Sequence, residues 1–152
     1  MKGRLHLSQE ELCLLRESFT LLAQDAEGAT MALFDRLFEL DPKLRFMFPE
    51  DLRDQKHRLI SMIGFIVRRL HRWDQVEPRL LNLGLRHVSY GVQRSDYLVF
   101  KQAMIDILMS RLRLEKESLT IKAWSTVFEA VSATMVSAEM PERALELGIE
   151  PA

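Results

Sequence analysis

The stretch Asn82-Leu83-Gly84-Leu85-Arg86-His87-Val88-Ser89-Tyr90-Gly91-Val92 decides how this chain is read. It places one imidazole, His87, on a helix whose inner face is otherwise apolar, and Gly91 stops that helix just beyond it. A histidine in such a place either finds a buried hydrogen-bond partner or binds something. One turn earlier lies Leu83, whose backbone carbonyl is in position to accept the ring's Nδ1–H. That bond would fix the tautomer and leave Nε2 free for a metal. Upstream, Gln55 heads a second apolar helical stripe. If the two helices face each other, Gln55 and His87 oppose one another across a pocket.

Working outward, the chain of 152 residues fits one domain, expected over 8–140 between a tail at 1–7 and a tail at 141–152. A domain of this size buries about 70% of the surface of its unfolded chain, so it can hold a core and still accommodate a bulky apolar ligand. The net charge of −1 argues against a nucleic-acid or acidic-membrane partner. A single cysteine, Cys13, excludes an internal disulfide and fits a reducing compartment. The basic start Met1-Lys2-Gly3-Arg4 lacks the apolar core of a signal peptide. No apolar run approaches the roughly 20 residues of a membrane span. These features lead to the expectation of a cytoplasmic protein.

The periodicity is helical throughout, and the fold class expected is all-α, with six or seven helices. Ser8 and Glu11 form a capping box ahead of Leu12, Leu15, Phe19 and Leu22. A second helix is predicted over 27–40 with Met31, Phe34, Leu37 and Phe38 inward. Asp41-Pro42 starts a short turn of helix, which Pro49 closes. Further helices are predicted over 50–71, 78–90, from a Ser95-Asp96 cap to 113, and over 116–139. All five prolines then fall where helices start or stop.

At this point the chain resembles a globin, over about 8–139. The residues that carry the likeness are Phe38-Glu39-Leu40-Asp41-Pro42, Phe48, Gln55 with Leu59, and Leu83-Gly84-Leu85-Arg86-His87. Tyr90-Gly91-Val92, Asp96-Tyr97 and Ala123-Trp124 continue it. Each is weak alone; together, in order and in spacing, they are specific. The likeness is closer to single-domain bacterial and neuroglobin-like globins than to vertebrate oxygen carriers.

The resemblance implies a globin fold around a haem pocket, with the fourth helix of the vertebrate pattern (the D helix) short or absent. It implies haem b held by His87 as proximal ligand, Phe48 stacked on the porphyrin, and Gln55 as the distal donor. Leu59 would crowd the distal face and Phe34 would close the pocket, standing where many bacterial globins have a tyrosine. Leu83 and Val92 would lie beside the ring on the proximal side. Tyr97 and Glu139 match positions that surround the iron-bound histidine in some bacterial globins. Arg58 and Arg86 neighbour pocket positions and either pair with the haem propionates or are solvated.

Other basic residues read more plainly. His57 lies about 200° around its helix from Gln55, and His6 and His71 sit at element ends. Arg68, Arg69, His71 and Arg72 cluster at a helix C-terminus, where they complement its dipole. The expected activity is reversible binding of O2, NO or CO at moderate affinity, governed by Gln55, in a monomer or weak homodimer. The alternatives are a nitric-oxide dioxygenase or a weak peroxidase, and a gas or redox sensor. Since the chain has no G-x-G-x-x-G fingerprint, the dioxygenase would need a reductase in trans.

Overall fold

Six α-helices and one 3-10 turn make up the computed structural model, which describes residues 5–140. Of the expected tails at 1–7 and 141–152, residues 1–4 and 141–152 lie outside the described residues. Helix α1 (Gln9–Ala23) opens on the predicted box: Ser8 Oγ accepts from the Glu11 N–H at 3.0 Å, and the Glu11 carboxylate accepts from the Ser8 N–H at 3.1 Å. Helix α2 (Ala26–Leu40) is capped by Asp25, which accepts from the Gly28 N–H at 3.0 Å. It buries Ala29, Leu33, Phe34 and Leu37, whereas Met31, expected inward, is 48% exposed. Met31 lies roughly 130° around the helix from the centre of that stripe, at about 100° per residue.

The 3-10 turn Pro42–Met47 follows an Asp41 cap, and no helix intervenes before α3 (Arg53–Arg68). Helix α3 is shorter at both ends than the sequence pattern foretold. Asp51 sets its start by accepting from the Arg53 N–H at 3.0 Å. Helix α4 (Trp73–Ser89) departs most from expectation, because Pro78 lies inside it. Trp73 and Val76 are buried and carry the apolar stripe of Leu80 and Gly84 upstream past the proline. Proline lacks the N–H that would serve the carbonyl four residues back, that of the exposed Asp74. Burial of the stripe outweighs that loss on the solvent side.

Helix α5 (Arg94–Leu112) is capped by Gln93 rather than Ser95, with Asp96 reaching back to accept from the Gln93 N–H at 2.8 Å. Helix α6 (Leu119–Ser137) starts at a Ser118 cap, whose hydroxyl accepts from the Ile121 N–H at 3.3 Å. Its start therefore falls later than the predicted 116, since a serine is the better cap.

The core is centred on Trp124, Leu15, Leu80, Met104 and Leu108, all fully buried. The indole N–H of Trp124 donates to Ser18 Oγ at 2.8 Å, which satisfies a buried donor and ties α6 to α1. Charged pairs join the outer helices, Arg36 to Asp106 at 2.9 Å and Arg111 to Asp25 at 2.7 Å. Helix α2 packs on α5, α4 packs on α6, and α3 rests on α1 and α2. Thus α3 and α4, joined only by 69–72, lean on different neighbours.

Candidate functional site

On the α4 side, the helix end itself fixes the key histidine. Gly91 has φ +85°, a left-handed conformation that suits glycine. The Val92 N–H donates to the His87 carbonyl at 3.0 Å and the Gly91 N–H to the Val88 carbonyl at 3.0 Å, the Schellman pattern. His87 therefore has its own carbonyl engaged in closing its helix. Its ring Nδ1 lies 2.9 Å from the Leu83 carbonyl, as the spacing foretold. That contact makes Nδ1 the donor and leaves Nε2 with its lone pair.

Burial pushes the His87 imidazole below its ordinary pKa, against the opposing pull of the Leu83 carbonyl, and the Arg86 charge adds to the lowering. The ring is thus neutral at physiological pH, the state that binds metals. Tyr97 of α5 stacks on it, with centroids 6.2 Å apart and planes 18° apart. Burial, then the charges of Glu139 and Asp96, push the Tyr97 phenol up to about 12, so it stays protonated. The Glu139 carboxylate lies 3.7 Å from Arg94 and acts on Tyr97 through its charge.

Three phenylalanines gather on α2 and in the loop before α3. Phe48 meets Phe34 edge-on at 5.4 Å and Phe38 at 5.7 Å. Arg45 holds the loop beneath them. Its guanidinium donates to the carbonyls of Phe48, Pro49 and Glu50 at 3.3, 3.0 and 3.1 Å, and it lies over the Phe38 ring at 5.4 Å. Sequence reasoning passed over Arg45; an arginine between Pro42 and Pro49 was the available signal. Gln55 has its Oε1 buried without a hydrogen-bond partner, and a cleft of about 430 Å³ lined by Pro49, Asp51, Arg53, Asp54 and Gln55 adjoins it. Asp51, held by Arg53 at 2.7 Å, has its carboxyl lowered to about 2.

Leu59, Leu83 and Val92 are half-buried; Arg58, Arg86 and His57 are exposed. Gly84, quoted in the sequence motif without a role, turns out to be essential to placement. A Cβ there would run into the Met135 carbonyl of α6, so only glycine lets α4 approach this closely, one turn from His87.

The arrangement fits a haem. Phe38, Phe48, Leu59, Met62, Leu83 and Tyr97 are large side chains packed on the core yet only partly buried. Among the described residues no cluster of three or more His, Cys, Asp or Glu side chains could hold a metal ion. A lone histidine suits a metal that brings its other ligands in a flat macrocycle. Among the described residues no helix is long and apolar enough to cross a membrane.

The family Globin matches residues 31–135, and the chain belongs to the globin family, whose members typically bind haem and, through it, diatomic gases. It is 28% identical to a neuroglobin of Danio rerio over 143 residues, which spans 85% of this chain and 90% of that protein. A globin-like protein of Aquifex aeolicus (strain VF5) is 21% identical over 133 residues, covering 88% and 94% of the two chains. In fold the chain resembles a bacterial globin from Campylobacter jejuni, with a TM-score of 0.76 at 16% identity over 86% of this chain and 95% of that one.

Proposed function

We propose that this globin binds O2 reversibly, and NO or CO likewise, at a haem b held by His87 with Gln55 as the distal hydrogen-bond donor. The observation that carries the reading is His87 itself, neutral, with Nδ1 committed to the Leu83 carbonyl at 2.9 Å and Nε2 left to bind. When bound, the haem supplies a ferrous iron with a coordination position open to a diatomic gas.

The side chains around it do the rest. The Leu83 carbonyl orients the imidazole and raises its basicity as a ligand. Tyr97, stacked on the ring, limits its rotation. Phe34 and Phe48 keep water from the opposite side. Gln55 carries a buried Oε1 without a partner; a half-turn about its soft terminal torsion presents the NH2 in its place. Phe34 has no hydroxyl to compete, so the Gln55 amide is the donor that holds a polarised gas. Arg58 and Arg86, exposed beside pocket positions, are placed to meet carboxylates at the haem edge.

Reconstitution with haem should give a Soret band that His87→Ala weakens or shifts. An equal spectrum from that variant would remove His87 as ligand. A hydrogen bond to a polarised ligand contributes about 1.5–3 kcal/mol, so Gln55→Leu should speed O2 dissociation about ten- to a hundredfold. Stopped-flow displacement by CO measures this, and an unchanged rate would exclude the distal role of Gln55.

A further inference from the structure

Close to the joint between α3 and α4 sits an aromatic residue that the gas site does not use. Phe65 of α3 is half-buried, and two guanidiniums lie over its ring. Arg69 Cζ is 4.1 Å from the ring centroid, and Arg79 Cζ, arriving from α4, is 4.3 Å from it. Arg69 also donates to the Phe65 carbonyl at 3.4 Å. Arg79 is exposed, so no enclosure compels it to this spot. Attraction to the π face accounts for its place, and weakly hydrated guanidinium is suited to it. Two like charges over one ring repel each other, so the ring is what keeps them together.

The positions extend the site's own ridges. On α3, Phe65 follows Met62 at i+3, on a side adjoining the one that carries Gln55 and Leu59; on α4, Arg79, Leu83 and His87 recur at i+4. Phe65 lies about 15 Å along α3 from Gln55, and Arg79 about 12 Å along α4 from His87, at about 1.5 Å per residue. Since α3 rests on α1 and α2 while α4 rests on α6, few other contacts hold these two ridges at a set separation.

We propose that Phe65, gripped by Arg69 and Arg79, is a positioning residue: it sets the separation between the Gln55–Leu59 ridge and the Leu83–His87 ridge. The proposal rests on the haem reading of the gap between them. It assigns Arg69 a task beyond complementing a helix dipole.

The test pairs two readouts on Phe65→Leu, Phe65→Trp and Arg79→Met. Leucine keeps apolar bulk and loses the π face; tryptophan keeps the π face; methionine keeps the stem of Arg79 and loses its charge. In the haem-free chain, amide hydrogen exchange over 73–89 is measured; in the haem-loaded chain, haem loss to an excess of a scavenger globin. Phe65→Leu and Arg79→Met should speed both by about three- to fivefold, the worth of a cation–π contact, while Phe65→Trp matches the parent. Parent-like exchange and haem loss in Phe65→Leu and Arg79→Met would overturn the proposal. So would a Phe65→Trp variant as fast as Phe65→Leu. Arg79 is exposed, so Arg79→Met decides the matter even where a Phe65 variant folds poorly. If the parent takes up no haem, the haem reading fails by itself, and the exchange experiment alone judges the clasp.

Discussion

Gly84 shows how a single hydrogen atom in place of a side chain governs the site. Because a Cβ would meet the Met135 backbone, the close crossing of α4 and α6 depends on this position. Gly84→Ala should cost about 1–3 kcal/mol through forced repacking. Urea denaturation of the haem-free chain measures this, and unchanged stability would show that α4 shifts freely. Sequence alone placed Gly84 in the motif but gave no sign of its contact, because the partner is the backbone of a helix far along the chain. His87 differs: its bond to Leu83 is local, fixed by helical spacing, and therefore legible. Arg45 was not legible, since its three carbonyl partners depend on a loop path that no periodicity encodes. Met31 was misjudged because it fits the spacing of Phe34 yet lies outside the buried arc.

Among the elements, ends marked by a local cap were easier to read than unmarked ones. Capping serines and glycines act within four residues, so Ser8 and Gly91 were evident. The start of α4 was hidden because Pro78 is a strong local signal, and only the burial of Trp73 and Val76 overrides it. Helix α5 ends less comfortably than α4. Arg113 sits at φ 54°, ψ 47°, in the left-handed region, where a Cβ crowds the backbone. Arg113→Gly should therefore stabilise the protein by about 0.5–1 kcal/mol, after allowing for the greater freedom of glycine in the unfolded chain. A raised thermal midpoint is the expected result; a lowered one would mean that the Arg113 side chain contributes more than the strain.

At the scale of the whole molecule, the helices leave large apolar side chains incompletely covered, Leu59 and Met62 of α3 and Leu83 of α4 among them. A ligand that binds only the folded chain stabilises it by mass action, by about 2.7 kcal/mol at a hundred times its dissociation constant. Calorimetric melting should thus show a higher midpoint with haem than without, and His87→Ala should lose part of that gain. Equal midpoints with and without haem would count against haem filling this gap. The all-helical architecture was legible because amphipathic periodicity and caps recur along the chain. The facing of Gln55 and His87 was a condition of the sequence reading and not a result of it, since helix packing is a three-dimensional property.

The Schellman turn after His87 makes this protein intolerant of changes in length at one place. The same residue serves as proposed haem ligand and as the acceptor that closes α4, so the two cannot be moved apart. Inserting one residue between 87 and 92 would break the closure and reorient the imidazole together. The joint at 69–72 is constrained in another way, since Leu70 is buried and Arg69 lies over the Phe65 ring. Engineers who wish to lengthen this chain have no latitude beside His87.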